Sequence, residues 1–190
     1  MPPKAKVTKE MVTEAAFDIA RTVGFEQITA RSLSQKLGCS TQPVLYHFPK
    51  IDAVKRAAYK KADEFHTAYL LNVSDRSDDL LLGIGLNYIR FAVEEPNLFR
   101  FLFQSGYTAE TSVLAMIDSE ELRPVLAAMQ AGSGLSEPQM KEVFLTIALF
   151  AHGYASLFAN NSLGYDEAII SGHLEKAFRG AVSALEEESK

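Results

Sequence analysis

Cysteine, tryptophan and strand-like alternation are what this chain has least of. With Cys39 the single cysteine among 190 residues, no internal disulfide can form, and the opening Met1–Glu10 has no apolar stretch of a signal peptide. A reducing, cytoplasmic address is the expectation. The one long uncharged run, Val143 to Ala159, contains Thr146, His152, Gly153 and Ser156. It barely reaches the roughly 17 residues needed to cross a bilayer, so we read it as a buried helix and expect no membrane partner.

Signs of catalysis are equally sparse. The histidines His47, His66, His152 and His173 form no H-x3-H pair and none neighbours a second cysteine, and there is no glycine-rich phosphate loop. Cys39 and His47 come nearest to a thiol–imidazole pair, but Cys39 falls where a turn between two helices wants a small hydrophobe. The expectation is no catalytic residue, no metal, no cofactor and no enzyme.

What is present is a hydrophobic content of 47 % and an uneven charge. Residues 1–61 carry 11 basic and 5 acidic residues, a net +6, whereas the remainder carries 8 and 19, a net −11. A polyanion-facing end joined to an acidic body fits that division.

The apolar period is helical nearly throughout. Val12, Ala15, Ala16, Ile19, Ala20 and Val23 predict a helix over 9–22, capped by Thr8 and ended by a left-handed Gly24. Thr29 caps a short second helix with Ala30, Leu33 and Leu37 inward and Gly38 as its stop. Ser40 caps a third, with Pro43 in its first turn and Val44 and Phe48 inward. Two helices of about two turns around Gly38-Cys39-Ser40 make a helix-turn-helix. A longer helix runs to about Leu71, a fifth starts at Ser77, and Pro96 opens an aromatic segment to Phe103. A region over 112–130 is broken or kinked at Pro124, a long helix from Ser136 reaches Ala159, and a last one covers Asp166 to about Leu185. The fold class is therefore all-α, about nine helices, with a helix-turn-helix head over 1–50 and a helical body over 51–190.

A helix-turn-helix lays its second helix in the major groove. Gln42 suits a base edge because its amide donates and accepts together, as adenine requires. Thr41 reaches a base or a phosphate, while Tyr46 and His47 suit the backbone. Thr29, Arg31 and Ser40 stand at helix starts, where free N–H groups favour phosphate, and capping alone accounts for Thr29 and Ser40. Lys4 and Lys6 lie on a proline-containing arm able to follow a groove, and Lys50 follows the third helix.

At these residues the chain resembles the tetracycline-repressor-like (TetR) family of bacterial transcriptional regulators. The likeness is carried by Gly24-Phe25, Ile28-Thr29-Ala30-Arg31-Ser32-Leu33, Lys36-Leu37-Gly38-Cys39-Ser40 and Val44-Leu45-Tyr46-His47-Phe48, and further on by Phe91 to Arg100 and Ala151-His152-Gly153. The resemblance implies a homodimer with operator-binding heads and helical bodies that enclose an effector pocket. Two positions depart from it. Aligned on His47-Phe48, Leu45 stands where a phosphate-contacting tyrosine is usual and Ile51 where a lysine usually opens the fourth helix, with Tyr46 and Lys50 each one residue away.

In the body, Tyr88, Phe91, Phe99, Phe103, Tyr107, Met116, Phe150 and His152 are candidates to line an apolar effector site with few polar handles. Arg90 and Glu94 have the spacing of a surface ion pair. For assembly, Ala148, Ala151, Ala155 and Ala159 form a small-residue stripe that, with Ile170, Leu174 and Phe178, is expected to face a second copy, the bulky stripe Val143, Ile147, Phe150, Tyr154 and Phe158 turning inward; the reverse assignment stays open. The function expected is a repressor released from a palindromic, double-stranded operator by a small apolar ligand. A helical adaptor of the same fold binding a protein instead of DNA is the alternative, kept alive by Leu45 and Ile51.

Overall fold

The computed structural model describes residues 7–73, 80–108, 117–118, 120, 122–131 and 134–188, and all of its regular structure is helical, with nine α-helices among the described residues. The chain forms two compact units, one of residues up to Glu64 together with Asn97–Thr108, the other of Phe65–Pro96 together with the residues after Thr108. The head therefore extends past residue 50.

In the head, α1 (Lys9–Val23) is capped by Thr8, whose hydroxyl accepts the Met11 N–H at 3.2 Å. Val12, Ala15, Ala16, Ile19 and Ala20 are buried as the period predicts, but Val23 is exposed in the last turn. Gly24 does not take the left-handed conformation expected of it: at φ +99° and ψ +150° it is extended with a positive φ, still a glycine conformation, and its N–H closes on the Ala20 carbonyl. A single 3-10 turn, Phe25–Gln27, leads to α2 (Ala30–Leu37). There Thr29 and Ser32 cap each other reciprocally, the Thr29 hydroxyl accepting the Ser32 N–H and the Ser32 hydroxyl the Thr29 N–H, each at 3.0 Å. Gly38 is left-handed (φ +62°), and the Cys39 N–H reaches back to the Ser34 carbonyl at 3.0 Å, the usual ending of a helix at a glycine.

After α3 (Thr41–His47), α4 runs from Ile51 to Leu71. Its first half is fastened to the head by Lys61 and Glu14 at 2.6 Å and by the Tyr59 hydroxyl, which donates to the Leu102 carbonyl at 3.2 Å. Tyr59 thus meets α6 (Pro96–Gln104), which returns to this unit late in sequence. Phe101 of α6 stacks on Phe25 with ring centres 5.0 Å apart, and Asn97 donates its amide to the Arg21 carbonyl in the last turn of α1. These contacts explain why a boundary at residue 50 divides the chain too early.

The body contains the second half of α4 and α5 (Leu80–Glu94), α7 (Arg123–Ala131), α8 (Glu137–Asn160) and α9 (Glu167–Glu188). α5 packs against α8 and α9, and α8 against α7. Ile89, Val143, Ile147, Ala151, Ile170, Leu174 and Leu185 form one core, each large aliphatic side chain contributing about 1.5–3 kcal/mol by leaving water. The break expected at Pro124 is present: Asp118, Glu120 and Leu122 lie in turns, and Pro124 is the second residue of α7, where its missing N–H costs nothing. The expected start of that helical region, 112–116, and the Ser77 cap lie outside the described residues. Ser136 donates both its N–H (3.0 Å) and its hydroxyl (2.8 Å) to the Gln139 side-chain oxygen, and Asp166 accepts the Ile169 N–H at 3.1 Å. Those starts were legible in the sequence.

The small-residue stripe expected to meet a second copy does not face outward. Ala151, Ala155 and Ala159 are buried within their own unit together with Ile170 and Leu174, Ala148 and Phe178 being half-buried. Small residues let α8 pack closely inside its own body, so that face is already occupied. The face left exposed carries Leu149, Phe150 and Leu157 on α8 and Ile169 on α9. Of the bulky stripe, Val143 and Ile147 turn inward as expected and Phe150 does not.

Candidate nucleic-acid interface and effector-body site

α3 sets its faces by a simple division. Val44 and Phe48 are buried and anchor the helix, while Thr41, Gln42, Leu45 and Tyr46 are exposed, Tyr46 at 79 %. Ser40 precedes the helix with an exposed side chain, but its hydroxyl makes no capping bond. An N-cap oxygen normally takes the N–H of the second or third helical residue, and the third here is Pro43, which has none. Arg31 and Lys50 are exposed as expected. The Thr29 hydroxyl is exposed yet engaged in its cap. Lys4 and Lys6 lie outside the described residues.

His47, expected to suit the DNA backbone, is held within the head. It is half-buried, its ring stands edge-on to Tyr46, and its Nε2 donates to the Val7 carbonyl at 2.9 Å. This bond ties the end of α3 to the start of α1, where Lys9 also lies over the Phe48 ring at 5.3 Å. Part of the positive charge of the head is internally compensated: Lys36 pairs with Asp18 at 3.1 Å and Arg56 with Asp52 at 3.0 Å.

The proposed effector residues divide between the units. Phe99, Phe103 and Tyr107 belong to the head, where Phe99 is buried and Tyr107 stands edge-on to Phe25 and Phe101. In the body, Phe91 is buried, Tyr88 and His152 are half-buried, and Phe150 faces outward. Met116 lies outside the described residues. The Tyr88 hydroxyl meets His152 Nδ1 at 2.9 Å. Burial pushes the Tyr88 phenol up and the His152 imidazole down, so Tyr88 donates to a neutral ring whose proton stays on Nε2. Behind them, buried His66 packs edge-on to Tyr88 and Phe91, and burial pushes its pKa down to about 3.

One polar residue of the body was not foreseen, and another finds a different partner. Asn87, buried in α5, donates its amide to the Tyr69, Leu70 and Asn72 carbonyls at 3.2–3.3 Å, satisfying the orphan end of α4. Arg90 does not pair with Glu94; it bonds the Asn87 oxygen and forms an ion pair with Glu167 at 2.5 Å, while Glu94 accepts the Tyr69 hydroxyl at 2.7 Å. An asparagine inside the apolar run of α5 was the available signal, because a buried amide needs partners.

A three-helix head with an outward α3, followed by a helical body, defines a helix-turn-helix regulator. The model of the tetracyclin repressor-like C-terminal domain matches residues 81–185, and the chain belongs to that family of transcriptional regulators, whose members bind DNA. It is 21 % identical over 188 residues to YobS, an uncharacterized HTH-type transcriptional regulator of Bacillus subtilis (strain 168), covering 97 % of this chain and 96 % of that one. A crystal structure from Mesorhizobium loti MAFF303099 that carries a TetR-family designation shows 14 % identity and a TM-score of 0.47, over 92 % of this chain and 95 % of the other.

Proposed function

We propose that the chain is a cytoplasmic, homodimeric repressor whose paired heads bind a palindromic operator and leave it when a small, largely apolar molecule enters the body. The observation that carries this is the outward face of α3, where Thr41, Gln42 and Tyr46 stand exposed above the buried Val44 and Phe48. One seven-residue helix spans too few base pairs for specific binding, which favours a symmetric pair on two half-sites. Arg31, Lys50 and the arm lysines supply phosphate contacts. His47 holds the end of α3 to the start of α1 through the Val7 carbonyl.

The effector reading narrows to Tyr88, Phe91 and His152, a neutral hydrogen-bonding pair beside aromatic rings, suited to an uncharged ligand with one polar group. Partner contact falls to the exposed Leu149, Phe150, Leu157 and Ile169. Selection of duplexes from random DNA by the purified protein tests the central claim: a palindrome supports it, and no enrichment at low salt overturns it. Exposed Leu45 favours a second reading, the adaptor that binds a protein, which such a failure would bring forward.

A further inference from the structure

On the DNA-binding reading above, we propose that Leu45 reads a thymine methyl in the major groove, beside the base pair addressed by Gln42. Successive helical residues are about 100° apart, so Thr41, Leu45, Gln42 and Tyr46 follow one another in that order across an outward arc. Leu45 stands inside it, between the hydroxyl and the amide, and is 42 % exposed, whereas Val44 is fully buried. A leucine there gains nothing from water and can bond neither a phosphate nor a polar base edge. The major groove presents one apolar group, the C5 methyl of thymine, interleaved with donors and acceptors. An apolar side chain between Thr41 and Gln42 matches that alternation.

A protein partner fits the same face less well. A stable protein contact covers about 800 Å² on each side, while Leu45 and Tyr46 are the two large apolar side chains of this arc. They are set among Thr41 and Gln42, on a head whose first 61 residues carry a net +6. The departure of Leu45 from the family pattern is thereby a change in what is read: a phosphate contact is replaced by a base-specific one.

The test uses the full chain and the duplex it enriches from random DNA. Each thymine is replaced singly by deoxyuridine, which removes the methyl and leaves every hydrogen-bonding group in place. At one position per half-site the replacement should weaken binding roughly fourfold, as removal of one buried carbon group does. Leu45→Ala should bind the thymine duplex with a similar loss and be indifferent to the replacement there, whereas Gln42→Ala should keep its sensitivity. A duplex in which no methyl matters, or a Leu45→Ala variant as sensitive as the parent, overturns this assignment and leaves DNA binding standing. No enriched duplex at all overturns both. The uridine series on the parent decides the matter even if Leu45→Ala folds poorly.

Discussion

Asn87 donates its side-chain amide to the Leu70 carbonyl at 3.2 Å, and through the same nitrogen to Tyr69 and Asn72. One buried residue of α5 thereby serves the C-terminal carbonyls of α4, the helix whose first half belongs to the head. Asn87→Leu keeps the volume but strands these acceptors and the Arg90 contact. A loss of about 2–3 kcal/mol in chemical denaturation is expected, and Asn87→Asp, which can accept but not donate, should fare no better. A change within about 0.5 kcal/mol would show that the amide is dispensable.

His66 makes stability depend on pH. Its folded pKa is depressed to about 3 by burial, against about 6.5 when unfolded. The unfolded chain binds the extra proton first, so stability is intact above about pH 6.5 and falls as pH drops through that value toward 3. At pH 5 the loss from this residue alone should reach about 2 kcal/mol. His152 is shifted in the same direction, also by burial, and adds to it. Denaturation at pH 7 and pH 5 measures the difference. His66→Phe should shrink it, and an unchanged difference would remove His66 as its source.

DNA binding should be strongly salt-dependent, falling with a log–log slope of roughly −0.9 per phosphate contact. Lys50→Ala is expected to weaken all sequences alike and lower that slope by about one contact, whereas Gln42→Ala should relax discrimination at one or two base positions by about 1–3 kcal/mol each. If Gln42→Ala selects an unaltered motif, Gln42 does not read a base. Lys50→Ala that alters the motif would refute its assignment to phosphate.

Helix starts, stops and types were legible because they depend on neighbours within a turn or two: Thr8, Thr29, Ser136 and Asp166 sit at N-caps, and Gly38 closes α2. The inward face of α3 was legible for the same reason, since Val44 and Phe48 are one turn apart. What sequence concealed is long-range. That α6 returns to the head through Asn97 and Phe101, that His47 bonds Val7 forty residues back, and that Arg90 prefers Glu167 to Glu94 all depend on which elements meet in space. The period of α8 likewise gave two apolar stripes without saying which of them faced α5.

That last ambiguity yields the final prediction. Leu149 and Leu157, two turns apart on α8, are 58 % and 53 % exposed, and Ile169 on α9 is exposed beside no described cover. Apolar side chains left outward on two adjacent helices suit a symmetric contact in which each copy contributes both helices. Leu149→Glu with Leu157→Glu places four carboxylates in such a contact, two from each copy, and removes nothing from the monomer core. Sedimentation should show a dimeric parent and a monomeric variant of unchanged helicity, with operator binding lost at concentrations that saturate the parent. Ala155→Arg acts differently. Ala155 is fully buried inside its own unit, so the guanidinium has neither room nor partner, and the variant should lose more than about 3 kcal/mol of stability rather than become a folded monomer. A dimeric double glutamate variant would move the interface off this face, and a well-folded, monomeric Ala155→Arg would return it to the alanine stripe.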